Sequence, residues 1–182
     1  MRASVEGSEW LRLFCALRLP EVVLDRLVEW QRDAIPAQLR VVPRENLHLT
    51  LAFLGHRPAR ELDGVVAELR AAAAAARPIR LEVDRYRETR SVGMLVLRDA
   101  DGAATALAED LQGRLERRGV YEPEGRRWLP HLTVVRFRER PRLRVDPPSV
   151  GTFVPSDAAA YLSRLRPGGA EYAVLESVAL GG

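Results

Sequence analysis

Apolar residues run through this chain in two rhythms. Over residues 47–54 they alternate, with Leu47, Leu49, Leu51 and Phe53 on one side and His48, Thr50 and Ala52 on the other, the period of a strand with one buried face. Gly55 and Pro58 are expected to end that strand, and His56 just past Gly55 reads as a solvated turn residue. Helical spacing takes over in Val23, Leu24, Leu27 and Val28, a stripe running to about Ala34, with Pro20 where the first turn begins. A second helix spans residues 60–76, where Leu62, Val65, Val66 and Leu69 lead into an alanine run of high helix propensity. A third covers residues 103–118, with Leu107, Leu111 and Leu115 four apart. Further strands are expected over residues 11–17, 79–86, 92–97 and 129–137, those at 79–86 and 92–97 pairing through the polar stretch 88–91. Residues 141–148 form a proline-rich loop, and residues 158–165 and 172–180 a hairpin around Pro167-Gly168-Gly169.

Sliding the chain against itself by the 83 residues that separate His48 from His131 overlays these elements. Leu13 falls on Val96, Leu24 on Leu107, Val28 on Leu111, and His48-Leu49-Thr50 on His131-Leu132-Thr133. Each half is then a strand, a helix and a strand carrying His-x-Thr, an internal duplication at the level of elements. The fold expected is α+β: one domain over residues 1–182, built as two similar lobes of antiparallel sheet with helices outside. The two His-x-Thr strands face each other across a central groove.

Composition narrows the chemistry. The chain has 182 residues, 47% of them apolar, enough for one sizeable core. No run of 18 apolar residues offers a membrane span, and the polar start around Glu6 and Glu9 does not resemble a signal peptide. The single cysteine, Cys15, cannot close an internal disulfide, so a reducing cytoplasm is the expected home. All 28 basic residues are arginine. Without lysine there is no P-loop, no Schiff base and no lysyl-nucleotide intermediate. The net charge of +3 does not by itself indicate nucleic acid, although Arg126, Arg127, Arg136, Arg138, Arg140, Arg142 and Arg144 cluster locally, as a solvated face or as a binding patch.

Three histidines and five threonines are present, and two of the histidines have threonine two places on. Chance gives that pairing odds of about 0.003, so the two tripeptides carry information that one would not. Residues two apart on a strand share a face, with Cα atoms roughly 6.6 Å apart, so each pair can bracket one phosphate-sized group. Two imidazoles, one charged and one neutral, are what in-line displacement at phosphorus needs, while hydroxyls and an arginine hold the equatorial oxygens. A metal site is the competing use. Threonine is a poor ligand and the helical His-Glu-x-x-His pattern is missing, so no metal and no cofactor are expected.

The stretches Leu13-Phe14-Cys15-Ala16-Leu17-Arg18-Leu19-Pro20, Asn46-Leu47-His48-Leu49-Thr50-Leu51-Ala52-Phe53-Leu54-Gly55 and Trp128-Leu129-Pro130-His131-Leu132-Thr133-Val134-Val135-Arg136 resemble the 2H phosphoesterases. They are most similar to the bacterial and archaeal RNA 2′,3′-cyclic phosphodiesterases, also known as 2′–5′ RNA ligases. Tyr161-Leu162-Ser163 and Tyr172-Ala173-Val174-Leu175 resemble that family's C-terminal end. The resemblance implies a bilobal fold and hydrolysis of a terminal 2′,3′-cyclic phosphate on RNA to a 2′-phosphate. The chain is expected to act on such RNA ends as a monomer. It implies His48 as proton donor to the leaving 3′-oxygen, His131 as acceptor from water, and Thr50 and Thr133 as phosphate ligands. Arg136 matches an arginine that often follows the second motif, though plain alternation puts it on the face opposite His131, so its use requires a bulge or bend. Trp128 matches an aromatic position near the groove, suited to stacking on a base or to core packing. Two rivals stand beside hydrolysis: 2′–5′ ligation at the same site, and non-catalytic binding of RNA ends.

Overall fold

The computed structural model describes residues 9–181. Two antiparallel four-stranded sheets carry the fold. The first orders its strands β3-β1-β7-β8, from β1 (Trp10–Arg18), β3 (Leu49–Pro58), β7 (Asp157–Arg166) and β8 (Gly169–Val178). The second orders them β2-β6-β5-β4, from β2 (Arg40–Val41), β4 (Glu82–Glu88), β5 (Val92–Arg98) and β6 (His131–Arg136). The helices α1 (Glu21–Ala34), α2 (Leu62–Ala75) and α3 (Ala103–Arg117) complete it. One buried cluster draws on both sheets and on all three of these helices, from Leu13, Leu17 and Leu49 through Leu27 and Leu69 to Leu95, Leu111 and Leu132. No described helix is long and apolar enough to cross a membrane.

The helices follow from their stripes. Pro20 precedes α1, and its carbonyl accepts from the Val23 and Leu24 amides, so the residue without a backbone donor sits where a donor is not needed. The buried face is Val23, Leu24, Leu27 and Gln31, whereas Val28 turns out to be exposed. A stripe only four residues wide cannot show which edge faces the core, and a glutamine occupies the place expected for valine. Advancing α1 by 83 residues gives 104–117, against the observed Ala103–Arg117 of α3.

Most departures from the simple pattern lie in the strands. In the pairing of β1 with β3, Cys15 faces Ala52 and Ala16 faces Thr50, so Leu51 has no residue opposite it. This bulge reverses the alternation: Ala52 and Leu54 are buried while Phe53 leaves the core face assigned to it and is exposed. Gly55 does not end the strand. It adopts φ +69° beside a second irregularity, where Leu13 faces Gly55 and Phe14 faces Phe53, and β3 continues to Pro58. His56 therefore lies within β3 opposite Arg12, exposed as expected but not in a turn. A matching bulge occurs in β6, where Gly93 faces Val135 and Met94 faces Thr133, leaving Val134 unopposed. The short β2 was not legible as a strand, because two exposed residues carry no alternation.

Bulged carbonyls need partners, and two glutamines supply them. Gln112 Nε2 of α3 donates to Leu51 O at 2.7 Å. Gln31 Nε2 of α1 donates to Val134 O at 2.7 Å and to Val42 O at 3.0 Å. Each helix thus reaches from its own half of the chain to the His-x-Thr strand of the other.

Candidate active site

Both histidines stand at the start of their strands. A 3-10 turn over Arg44–Asn46, entered from Pro43, delivers the chain to His48, and Asn46 O takes a hydrogen bond from His48 Nδ1 at 2.8 Å. Leu129 O does the same for His131 Nδ1, also at 2.8 Å. A carbonyl oxygen cannot donate, so in both rings Nδ1 carries the proton and Nε2 is left for chemistry. The Thr50 hydroxyl donates to His48 Nε2 at 3.0 Å while that ring is neutral.

His48, His131, Thr50, Thr133 and Arg136 line one groove of about 360 Å³. The bulge at Val134 is what brings Arg136 to the same side as His131 and Thr133, against the plain alternation of β6. Trp128 borders an adjoining cavity of about 470 Å³, which shares Thr50 and His131 with the groove. Its indole N–H donates to Thr50 O at 3.0 Å and its ring is half-buried against the core, so it braces β3 from the other half of the chain.

Aromatic rings hem in His48. Phe14 lies 4.9 Å from it between centroids, Tyr172 5.4 Å and Tyr161 5.9 Å, and Phe14 stacks on Tyr161 at 4.7 Å with the planes 1° apart. Burial among these rings pushes the imidazole down to about 4, helped by the charges of His131 and Arg136 across the groove and opposed by the bond to Asn46 O. Cys15, deep beneath the same strand, is pushed up to about 12 by burial and is an inert core residue.

Several groove residues escaped the pattern analysis. Phe14 and Tyr172 belong to strand faces that alternation alone reads as core. Arg12 donates to Ser163 Oγ at 2.6 Å and sits 4.6 Å over the exposed Phe53 ring, so side chains of β1 and β3 meet at the groove wall. Asn46 Nδ2 donates to Ala170 O at 2.8 Å, fastening the start of β8 beside His48. The arginine cluster divides. Arg126 and Arg136 line the groove, while Arg140 pairs with the buried Glu88 at 3.1 Å. Glu88 also accepts from the amides of Arg142 and Leu143 at 3.0 and 2.8 Å, holding the proline-rich loop to the end of β4. Among the described residues no three His, Cys, Asp or Glu side chains gather as metal ligands.

The sequence matches the family model described as the 2′-5′ RNA ligase superfamily over residues 19–167. An RNA 2′,3′-cyclic phosphodiesterase of Thermus thermophilus is 35% identical, the match covering 94% of this chain and 91% of the relative. One of Escherichia coli is 28% identical, covering 95% and 98%. Among solved structures, a Thermus thermophilus protein superimposes with a TM-score of 0.81 at 31% identity, covering 94% of this chain and 99% of the other. Escherichia coli LigT complexed with 3′-AMP superimposes with a TM-score of 0.80 at 26% identity, covering 96% and 100%.

Proposed function

The chain belongs to the 2′-5′ RNA ligase superfamily, and we propose on that footing that it hydrolyses 2′,3′-cyclic phosphate ends of RNA to 2′-phosphates by two-histidine acid–base catalysis without a metal. The observation that carries this reading is the matched pair of imidazoles. Each is fixed through Nδ1 by the carbonyl two residues before it, and both border one groove. The curated relatives named as RNA 2′,3′-cyclic phosphodiesterases, alike over most of their length, support the substrate class.

In the proposed reaction His131 Nε2 accepts a proton from water as its oxygen bonds to phosphorus. The P–O3′ bond breaks in line, and His48 Nε2 gives its proton to O3′, leaving the phosphate on O2′. Thr50, Thr133 and Arg136 hold the equatorial oxygens, whose charge grows in the transition state. Burial disfavours a proton on His48, and an anionic phosphate beside Nε2 offsets that, so His48 takes its proton with substrate bound. Trp128 is assigned to the substrate through the cavity it borders. The same reading treats the chain as one monomeric domain of the cytoplasm.

Incubation of a nucleoside 2′,3′-cyclic phosphate with the protein in excess chelator tests it. The 2′-phosphate is the expected sole hydrolysis product. A 3′-phosphate product, or turnover that disappears with chelation, overturns the proposed chemistry.

A further inference from the structure

Arginine dominates the walls of both spaces, with Arg12, Arg40, Arg126 and Arg136 in the groove and Arg87 and Arg127 in the adjoining cavity. Against that background Glu124 is the one carboxylate among the described residues that line them, and it borders both. A carboxylate beside an anionic RNA end repels it, a cost that a hydrogen-bond donor on the substrate offsets. Arg126 donates to Glu124 Oε2 alone, from Nε at 3.0 Å and from Nη2 at 2.8 Å. Glu124 Oε1 takes no hydrogen bond from a described residue, and Arg126 Nη1 gives none. The pair is thus oriented internally yet keeps one open donor group next to one open acceptor. Thr50, Phe53 and His131 border both spaces as well, so a phosphate held at Thr50 and His131 shares this stretch of wall with Phe53, Glu124 and Arg126. The Phe53 ring is exposed, and the Arg12 guanidinium, tied to Ser163 Oγ at 2.6 Å, lies 4.6 Å from its centroid and steadies it as a platform.

We infer that this stretch reads guanine in the terminal nucleoside: Phe53 stacks on the base, and Glu124 accepts from its N1–H and its N2 amino group. The inference rests on the cyclic-phosphate reading above and names the RNA ends that reaction prefers. A carboxylate accepts hydrogen bonds and never donates them. Guanine alone of the four bases sets two N–H donors next to each other on its Watson–Crick edge, matching the two oxygens of one carboxylate. Its O6 adjoins N1–H and takes a bond from Arg126 Nη1. Adenine and cytosine offer one amino donor beside a ring-nitrogen acceptor. Uracil flanks its single N3–H with two carbonyl oxygens, so a carboxylate there faces an acceptor on either side. The order of preference is therefore guanine first, adenine and cytosine between, and uracil last.

Initial rates on the four nucleoside 2′,3′-cyclic phosphates test it, with inosine 2′,3′-cyclic phosphate as the guanine analogue that lacks the N2 amino group. The wild type is expected to favour guanosine over uridine in kcat/KM by about tenfold or more, the scale of one bidentate contact to a base. Guanosine is expected to exceed inosine by about fivefold, for one hydrogen bond to a charged group lost. Glu124→Gln is expected to lower kcat/KM for guanosine chiefly through KM and to bring the guanosine-to-uridine ratio to within about threefold of unity. A purely structural ion pair would instead lower all five rates in proportion. Equal kcat/KM for guanosine and uridine, a preference for another base, guanosine and inosine alike, or a guanosine-to-uridine ratio unchanged by Glu124→Gln overturns the guanine site and leaves the hydrolase reading intact. No turnover of any of the five removes the hydrolase reading, and this inference with it.

Discussion

Leu51 and Val134 are the same residue of two equivalent bulges, 83 positions apart, and the carbonyl of each is held by a glutamine from the other half of the molecule. The consequence appears two residues later. Phe53 and Arg136, also 83 apart, are both turned out of the core and into the groove. Where the second half presents a cation directly, the first presents an aromatic ring with Arg12 laid over it. The groove is therefore flanked by positive charge on both sides, from residues that are not repeats of one another. Arg136→Ala is expected to lower kcat/KM on a nucleoside 2′,3′-cyclic phosphate by about 100- to 1000-fold, the scale of one lost charge-stabilising contact. Initial-rate measurements check this, and a change under threefold argues that Arg136 does not touch the phosphate.

In the proposed reaction each histidine carries one half of the proton traffic. His48→Ala and His131→Ala are each expected to reduce kcat by roughly 10²- to 10⁴-fold, the usual share of a positioned acid or base. Circular dichroism run alongside separates this from unfolding. A folded variant with undiminished kcat refutes the role given to that histidine.

The proposed mechanism requires the pair to hold one proton between them. Protonation of His48 in the free protein occurs near pH 4, well below an ordinary imidazole. The acid limb of the kcat/KM profile is accordingly expected near pH 4, with a decline on the alkaline side as the remaining proton leaves. An acid limb at pH 6.5 or above contradicts the buried, ring-enclosed setting of His48.

The same depression links stability to pH. Above pH 6.5 His48 is neutral both folded and unfolded and contributes no pH dependence. As pH falls from 6.5 towards 4, the unfolded chain binds the proton first, and folding loses up to about 3 kcal/mol, after which the loss levels off. His48→Leu is expected to lose that much less stability than the wild type between pH 7 and pH 4, read from urea midpoints. Parallel pH dependence in the two proteins contradicts the assignment.

Gln31 is fully buried and satisfies two carbonyls across the halves, while Gln112 satisfies one. Gln31→Leu is expected to cost about 1–3 kcal/mol, and Gln112→Leu less, because an unmade buried hydrogen bond costs more than a made one contributes. Denaturant titration of both variants gives the comparison. Equal stability of Gln31→Leu and wild type argues against the glutamine as the support of the β6 bulge.

Apart from the short β2, the strands and helices, the 83-residue offset that overlays them and the chemical groups are legible in the linear chain. Periods of two and 3.6 are local, and the pairing of each histidine with a threonine two places on is visible in any window of three residues. The 83-residue offset also predicted the span of α3 from that of α1 to within a residue. Which side chains share the groove was not legible there. A bulge is a mismatch in the number of residues between two strands distant in the chain, so neither strand shows it alone, and alternation sent Phe53 and Arg136 to the wrong faces. The same holds for Gln31 and Gln112, whose acceptors lie 103 and 61 residues away, and for the aromatic rings that set the proton affinity of His48. Those properties come from burial and cross-strand register, which exist only once the two halves have closed on each other.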